Sequence, residues 1–319
     1  MKIDLAFAIK KLFKQSIVFG NMTKITFLGT SAQIQTKNRN HSAILINHEG
    51  ENILIDCGEG TQRQFRKAGL NPCRITHILI THLHGDHIFG LPGLLSTLNF
   101  SEYPAELIIY GPRGIKKFLE EFLAVSKVKR NFEIKIKEIG VGKFFESDDF
   151  FLVAEKMEHG IMTLAYNFVI KDKLRIDKNK LKKLKISPGP HLKDLKEGKN
   201  IVFGKKKYKS KDLTYLEKGK KISVVYDTLN NPRINPFVEG ADLFICESSF
   251  GSDLKEMAKK HLHMTAEEAG KIAKKSKVGK LILTHISQRY EKNKKFLLED
   301  AKKNFANVCL AKDLDSFEV

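Results

Sequence analysis

Short unbroken apolar runs alternate along the chain with segments whose apolar residues recur three and four apart, so strands and helices interleave. Thr23–Leu28 predicts a strand ended by Gly29, and Ala43–Asn47 with Asn52–Ile55 a hairpin around His48-Glu49-Gly50. Glu59–Ala68 predicts a helix stopped by Gly69. Ile75–Thr81 and Ala105–Tyr110 predict strands, each followed by a helix, Gly90–Leu98 and Ile115–Val125. Phe132–Ile139, Phe150–Lys156 and Thr163–Ile170 have strand character. Lys221–Tyr226, Asp242–Cys246 and Lys280–Thr284 predict strands delivering Asp227, Glu247 and His285 at their ends. Thr265-Ala266-Glu267-Glu268 has capping-box spacing and opens a helix to about Ser276. A helix over Lys294–Lys303 and a strand over Asn307–Ala311 close the chain. His77–His82 and Lys280–His285 echo one another, which suits two related halves. Strands and helices mixed without a regular repeat predict an α/β fold of two mixed sheets with helices outside.

Composition changes this picture in three places. From 171 to 211 there are sixteen Lys or Arg against four Asp or Glu, a net +12 within a chain of net +19. Apolar residues are sparse there and Ser187-Pro188-Gly189-Pro190 interrupts the stretch, which predicts a protruding, flexible basic arm that buries little surface and meets a polyanion. Residues 1–21 predict an N-terminal extension, or an upstream start, preceding a domain over 22–319; Ala6–Ile9 is too short for a secretory signal. No apolar run approaches the roughly 18 residues needed to cross a membrane. Cys57, Cys73, Cys246 and Cys309 form no CxxC pair and predict free thiols in a reducing, cytoplasmic setting.

The densest chemistry is His82-Leu83-His84-Gly85-Asp86-His87, directly after a buried strand. His82 and His84 face one side and Leu83 the body, while Gly85 allows a tight turn that returns Asp86 and His87. One loop then serves two metals, and histidine with carboxylate but no thiolate fits a catalytic zinc site. His159, Asp227 and His285 supply further ligands, with Asp227 as the bridge. Two zinc ions clamp a phosphodiester and provide hydroxide near neutral pH for attack on phosphorus, with Asp86 taking up the proton. His263, oriented by Glu247, is the candidate proton donor to the leaving oxygen, and His261 competes with it. Asp56 reads either as a helix cap or as a carboxylate holding a ligand histidine. His77 reads as packed core or as a group behind the ligands, and His41, His48 and His191 as surface residues.

The HxHxDH loop marks the metallo-β-lactamase superfamily, and the surrounding motifs resemble the ribonuclease Z family. Ile55-Asp56-Cys57-Gly58-Glu59-Gly60-Thr61-Gln62-Arg63-Gln64 is similar to that family's most distinctive stretch. Leu28-Gly29-Thr30, Arg39-Asn40, Gly90-Leu91-Pro92-Gly93-Leu94-Leu95, Ser187-Pro188-Gly189-Pro190, Asp227-Thr228, Glu247-Ser248-Ser249-Phe250, His263-Met264-Thr265 and Leu283–Tyr290 follow in the family's order. Among the departures, Tyr226 and Lys185 stand where the family has Gly, and none removes a ligand. The resemblance covers about Met22 to the C-terminus. It implies an αβ/βα four-layer sandwich and two zinc ions per subunit. It further implies a homodimer whose arm clamps precursor tRNA on the partner, and endonucleolytic removal of the 3′ trailer that leaves a 3′-hydroxyl. The alternatives are a small-molecule hydrolase of the same fold, which has no use for the arm, and a non-catalytic RNA-binding relative, which would not keep all seven ligands.

Overall fold

The computed structural model describes residues 22–126 and 131–319, and the proposed extension at 1–21 lies outside them. The chain forms two compact units, one of residues up to 137 together with 311–319, the other of 138–310.

The first unit holds a seven-stranded sheet of β1 (Lys24–Gly29), β2 (Ala43–His48), β3 (Glu51–Ile55), β4 (His77–Leu79), β5 (Leu107–Gly111), β6 (Ile134–Glu138) and β18 (Ser316–Glu318). Its order is β18-β1-β2-β3-β4-β5-β6. The first three pairings are antiparallel, and β3–β4 and β4–β5 are parallel. Helices Thr61–Lys67, Leu91–Phe100 and Ile115–Ser126 follow β3, β4 and β5. Leu28, Leu45, Leu54, Ile78 and Ile109 pack with Phe65, Leu91, Leu94, Leu98 and Leu119 from those helices. The alternate strand residues Phe27, Ile44, Ile46, Ile53 and Leu79 are buried too. Strands covered on both faces read as continuous apolar runs, which is why these were visible in the sequence.

The second unit repeats that plan with β7 (Gly142–Glu146), β8 (Phe150–His159), β9 (Ile161–Ile170), β14 (Lys221–Val225), β15 (Leu243–Glu247), β16 (Lys280–Thr284) and β17 (Val308–Leu310). The order is β7-β8-β9-β14-β15-β16-β17, antiparallel as far as β14 and parallel beyond it. Helices Ala266–Lys275 and Lys294–Lys302 bury Ala269, Ile272, Ala273, Leu297 and Ala301 against Phe244, Cys246, Leu281 and Leu283. The capping box forms as the spacing predicts. The Thr265 hydroxyl accepts the Glu268 N–H at 3.2 Å, and the Glu268 carboxylate accepts the Thr265 N–H at 3.0 Å.

The basic segment departs from the expectation of a stretch that buries little surface. β10 (Lys173–Ile176) pairs with β13 (Thr214–Glu217), and between them lie helices Lys178–Lys183 and His191–Lys196 and the hairpin β11 (Ile201–Phe203) with β12 (Lys206–Tyr208). Leu181, Ile186, Leu195, Ile201 and Leu213 bury together as a separate small core. The first helix ends in a Schellman turn: Lys185 takes φ +55°, its N–H reaches the Lys182 carbonyl at 3.1 Å, and the Ile186 N–H reaches that of Leu181 at 3.0 Å. Few apolar residues suffice because they recur where the turns return the chain onto itself. Lys182, Lys183, Lys196, Lys205, Lys206 and Lys207 are exposed and make no ion pair among the described residues.

Candidate active site

Most of the chemistry-bearing residues of each unit lie at the C-terminal ends of parallel strands, where open α/β sheets present their ligand sites; His159, at the end of an antiparallel strand, and His263, before a helix, are the exceptions. In the first unit Asp56 follows β3 in the left-handed region, φ +57°. That strained backbone aims a fully buried carboxylate along the next strand end. Its Oδ1 accepts the Thr81 N–H at 2.7 Å, and its Oδ2 accepts the Thr81 hydroxyl at 2.8 Å and His87 Nδ1–H at 2.7 Å. The predicted strand Ile75–Thr81 therefore stops at Leu79, because the Thr81 N–H turns to a carboxylate instead of a neighbouring strand. Asp56 is thus the carboxylate behind a histidine and not a helix cap. Burial pushes its carboxyl up, opposed by the His87 charge and by the hydrogen bonds it accepts.

Counting protons assigns both buried histidines. The Thr81 hydroxyl donates its single hydrogen to Asp56, so at 3.0 Å from His82 Nδ1 it accepts, and His82 carries its hydrogen on Nδ1. His87 Nδ1 likewise donates to Asp56. Both rings then carry no hydrogen on Nε2, the state a metal requires. His82 Nε2 faces His84 Nδ1 at 3.1 Å, and His87 Nε2 faces Asp86 Oδ2 at 3.4 Å. His84 caps the helical turn Gly85–Ile88 that carries Asp86 and His87. The loop is held by backbone contact, the Cys57 N–H on the His87 carbonyl at 2.8 Å and the Gly90 N–H on the Cys57 carbonyl at 2.9 Å. A Cβ on Gly90 would lie 2.0 Å from the Gly58 carbonyl oxygen, so this approach needs glycine.

In the second unit His159 is the last residue of β8 and not part of a loop, because Gly160 at φ +75° turns the chain at once into β9. Its Nδ1 donates to the Leu262 carbonyl at 2.9 Å, and its Nε2 lies 3.4 Å from Asp227 Oδ2. Asp227 Oδ1 is 3.1 Å from Nδ1 of His285, whose backbone is left-handed at φ +56°. Tyr226, fully buried, sets its ring edge-on to His285 at 5.8 Å. Glu247 has no exposure. It accepts the Thr228 N–H at 2.7 Å, the Ser249 hydroxyl at 2.7 Å and His263 Nδ1–H at 3.0 Å. Burial pushes its carboxyl up, but the charge and hydrogen bond of His263 outweigh this and hold it below the usual carboxylate range. Asp227, Glu247, His263 and His285 bring ligand atoms within 4.8 Å of one another.

The donor set fits a divalent metal: imidazole nitrogen and carboxylate oxygen, several buried, with ring lone pairs directed by hydrogen bonds on the opposite nitrogens. Thiolates are absent from it, since burial pushes the Cys57 and Cys246 thiols up and keeps them neutral. Glu247 spends both oxygens on N–H and O–H donors and so orients His263. His261 is exposed and stacks near Phe250 at 6.4 Å, and among the described residues Glu247 hydrogen-bonds to His263 and not to His261. His77 is buried in β4, stacked on Tyr110 at 5.9 Å. His48 is not a surface residue; it is 3 % exposed and hydrogen-bonded to Thr23 at 2.9 Å. His41 is half-buried, bonded to Gln35 and to the Gln33 carbonyl, and His191 is half-buried against Phe203. Thr81 and Ser249 escaped the sequence reading. Their signal is a hydroxyl within two residues of a strand-end His or Glu.

Two mixed seven-stranded sheets, with His/Asp clusters at the ends of their parallel strands, define a hydrolase of the metallo-β-lactamase fold that binds divalent metal. The metallo-β-lactamase fold protein YhfI of Bacillus subtilis shares this fold at 21% identity and a TM-score of 0.67, over 94% of this chain and 100% of that one. A family model described as anti-Pycsar protein Apyc1 matches residues 23–176, under half of the chain. The chain is 38% identical to the ribonuclease Z of Nanoarchaeum equitans over 294 residues, 92% of each chain. The crystal structure of human tRNase Z, short form, matches at 28% identity and a TM-score of 0.68, over 92% of this chain and 98% of that one. The chain belongs to the ribonuclease Z family and is an endoribonuclease.

Proposed function

We propose that this enzyme removes the 3′ trailer from precursor tRNA, cutting one phosphodiester so that the tRNA keeps a 3′-hydroxyl. The observation that carries the reading is the histidine tautomers set by Asp56, which leave two buried Nε2 lone pairs beside Asp86 and His84 within a ribonuclease Z chain. His82, His84 and His159 are proposed to hold one zinc, Asp86, His87 and His285 the other, and Asp227 to serve both. When bound, the two ions would supply Lewis acidity at the phosphate and lower the pKa of the attacking water. Asp86 orients that water and takes its proton. Glu247 fixes His263 through Nδ1–H, leaving Nε2 to protonate the departing ribose 3′-oxygen. The unpaired lysines of the 171–211 arm are proposed to bind tRNA phosphates, with the enzyme acting as a cytoplasmic homodimer. No helix among the described residues is long and apolar enough to cross a membrane.

The test uses end-labelled precursor tRNA with and without a metal chelator, together with the His84→Ala variant. Chelator-sensitive cleavage just after the discriminator base, lost in the variant, is expected. Absence of cleavage by metal-loaded wild-type protein that still hydrolyses a small phosphodiester would refute the tRNA reading.

A further inference from the structure

Phe89 closes the helical turn that carries Asp86 and His87, its N–H on the Gly85 carbonyl at 2.9 Å. Its ring is 61 % exposed, although its neighbours His87, Ile88 and Gly90 are buried. The ring is nevertheless seated. A Cβ built on Gly85 would meet Phe89 Cε2 at 2.3 Å, Cδ2 at 2.7 Å and Cζ at 2.8 Å. Gly85 is not among the residues of positive φ, so the turn itself does not demand glycine there. The aromatic edge lies on the Gly85 backbone, where a Cβ would displace the ring. One edge of the ring is thus fixed against the loop that holds the metal donors, while most of its surface faces solvent. A seated, solvent-facing aromatic ring beside the reacting groups of a nuclease has the form of a stacking surface for a nucleobase.

We infer that Phe89 is a positioning residue on which a base next to the scissile phosphate stacks, its inner edge resting on Gly85. This rests on the tRNA reading proposed above. Stacking on an aromatic tolerates any base, which suits an enzyme that must accept different nucleotides at one cut site. It also accounts for a large apolar side chain kept in water beside polar chemistry.

The experiment compares wild type, Phe89→Ala, Phe89→Leu and Phe89→Trp on precursor tRNA and on bis(p-nitrophenyl) phosphate. It also uses precursors carrying an abasic ribose at each nucleotide flanking the cut in turn. Removal of the ring is expected to lower kcat/KM on intact precursor roughly 5- to 150-fold, the range of one base–aromatic stack. Phe89→Leu should lose nearly as much and Phe89→Trp little, with diester hydrolysis unchanged in all three. On one abasic precursor, wild type and Phe89→Ala should cleave alike. Equal loss on intact and abasic precursors overturns the inference, as does loss that follows a change of oligomeric state on size exclusion, or no loss at all. Wild type inactive on every precursor but active on the diester overturns the tRNA reading and this inference together. Wild type active with Phe89→Ala unchanged overturns this inference alone.

Discussion

Replacing Asp56 by Asn exchanges one carboxylate oxygen for an NH2 group and, on the hydrogen bonds observed, reverses two histidines. The Thr81 N–H donates to Oδ1 at 2.7 Å, so the amide oxygen of Asn must take that position and the NH2 group must replace Oδ2. That NH2 group faces the Thr81 hydroxyl and His87 Nδ1, both of which donate to Oδ2 in the wild type. His87 must then accept on Nδ1 and carry its hydrogen on Nε2. The Thr81 hydroxyl, no longer donating to position 56, turns its hydrogen to His82 Nδ1, and His82 also becomes an Nε2–H ring. Neither ring can then offer Nε2 to a metal without breaking a new hydrogen bond, at about 1 kcal/mol each. The two together give about 2 kcal/mol, or about 30-fold in affinity, within the 10- to 100-fold that carboxylates behind metal ligands command. Metal affinity is measured by chelator competition, with thermal melts in excess chelator to separate loss of fold from loss of metal. Cleavage should fall with metal occupancy and recover at raised metal concentration. An Asp56→Asn protein with wild-type metal affinity would refute the tautomer argument, because side-chain shape alone is preserved.

Further outcomes follow from other parts of the molecule. His263→Ala should slow precursor cleavage about 10²- to 10⁴-fold with metal content unchanged; the loss should shrink for a p-nitrophenyl diester, whose leaving group needs no proton, and His261→Ala should cleave normally. Excising Lys173–Glu217, whose ends lie paired across β10 and β13, should abolish precursor cleavage and leave diester hydrolysis largely intact, and equal loss of both would count against a separate binding element. Neutralising Lys205, Lys206 and Lys207 should flatten the salt dependence of tRNA binding by about one unit of slope for each phosphate no longer neutralised, read by filter binding across a salt series. Lys185→Gly relieves a left-handed residue at the Schellman position and should stabilise the arm by about 1 kcal/mol, seen as slower proteolysis within 171–211. Faster proteolysis would mean that lysine side-chain packing outweighs backbone strain.

The His82–His87 cluster was legible because its four polar donors fall within six residues and follow a run buried on both faces. The strand-end residues Asp227, Glu247 and His285 were legible for the same reason. What stayed hidden depends on residues distant in sequence. Asp56 acts through Thr81 and His87, 25 and 31 residues on, and no local pattern separates a carboxylate that caps a helix from one that orients an imidazole. The small core of the arm was hidden because Leu181, Ile186, Leu195, Ile201 and Leu213 have neither the period of one helix nor that of one strand. Lys185 shows the reverse case. Its φ of +55° gives the physical reason for glycine at that place in the family, a reason that composition cannot express.

The echo between His77–His82 and Lys280–His285 correctly pointed to two related halves but aligned them one strand out of step. Both sheets run three antiparallel pairings and then parallel ones, so β3 corresponds to β14, β4 to β15 and β5 to β16. The echo matches β4 with β16, strands of different rank, because both are short buried runs that end in Thr-His. Rank instead matches Asp56 with Asp227, the first and second residues after β3 and β14 respectively. In the first unit that carboxylate turns inward, accepts the Thr81 N–H and sets histidine tautomers. In the second the roles are exchanged. Glu247, at the end of the next strand, accepts the N–H of Thr228, and this leaves Asp227 facing His159 and His285. One strand-end carboxylate in each half is therefore tied down by the backbone of its neighbouring strand. In the first half it is the carboxylate after the first parallel strand, in the second the one after the next, so the same scaffold yields an aspartate that orients a histidine in one half and an aspartate left facing two histidines in the other.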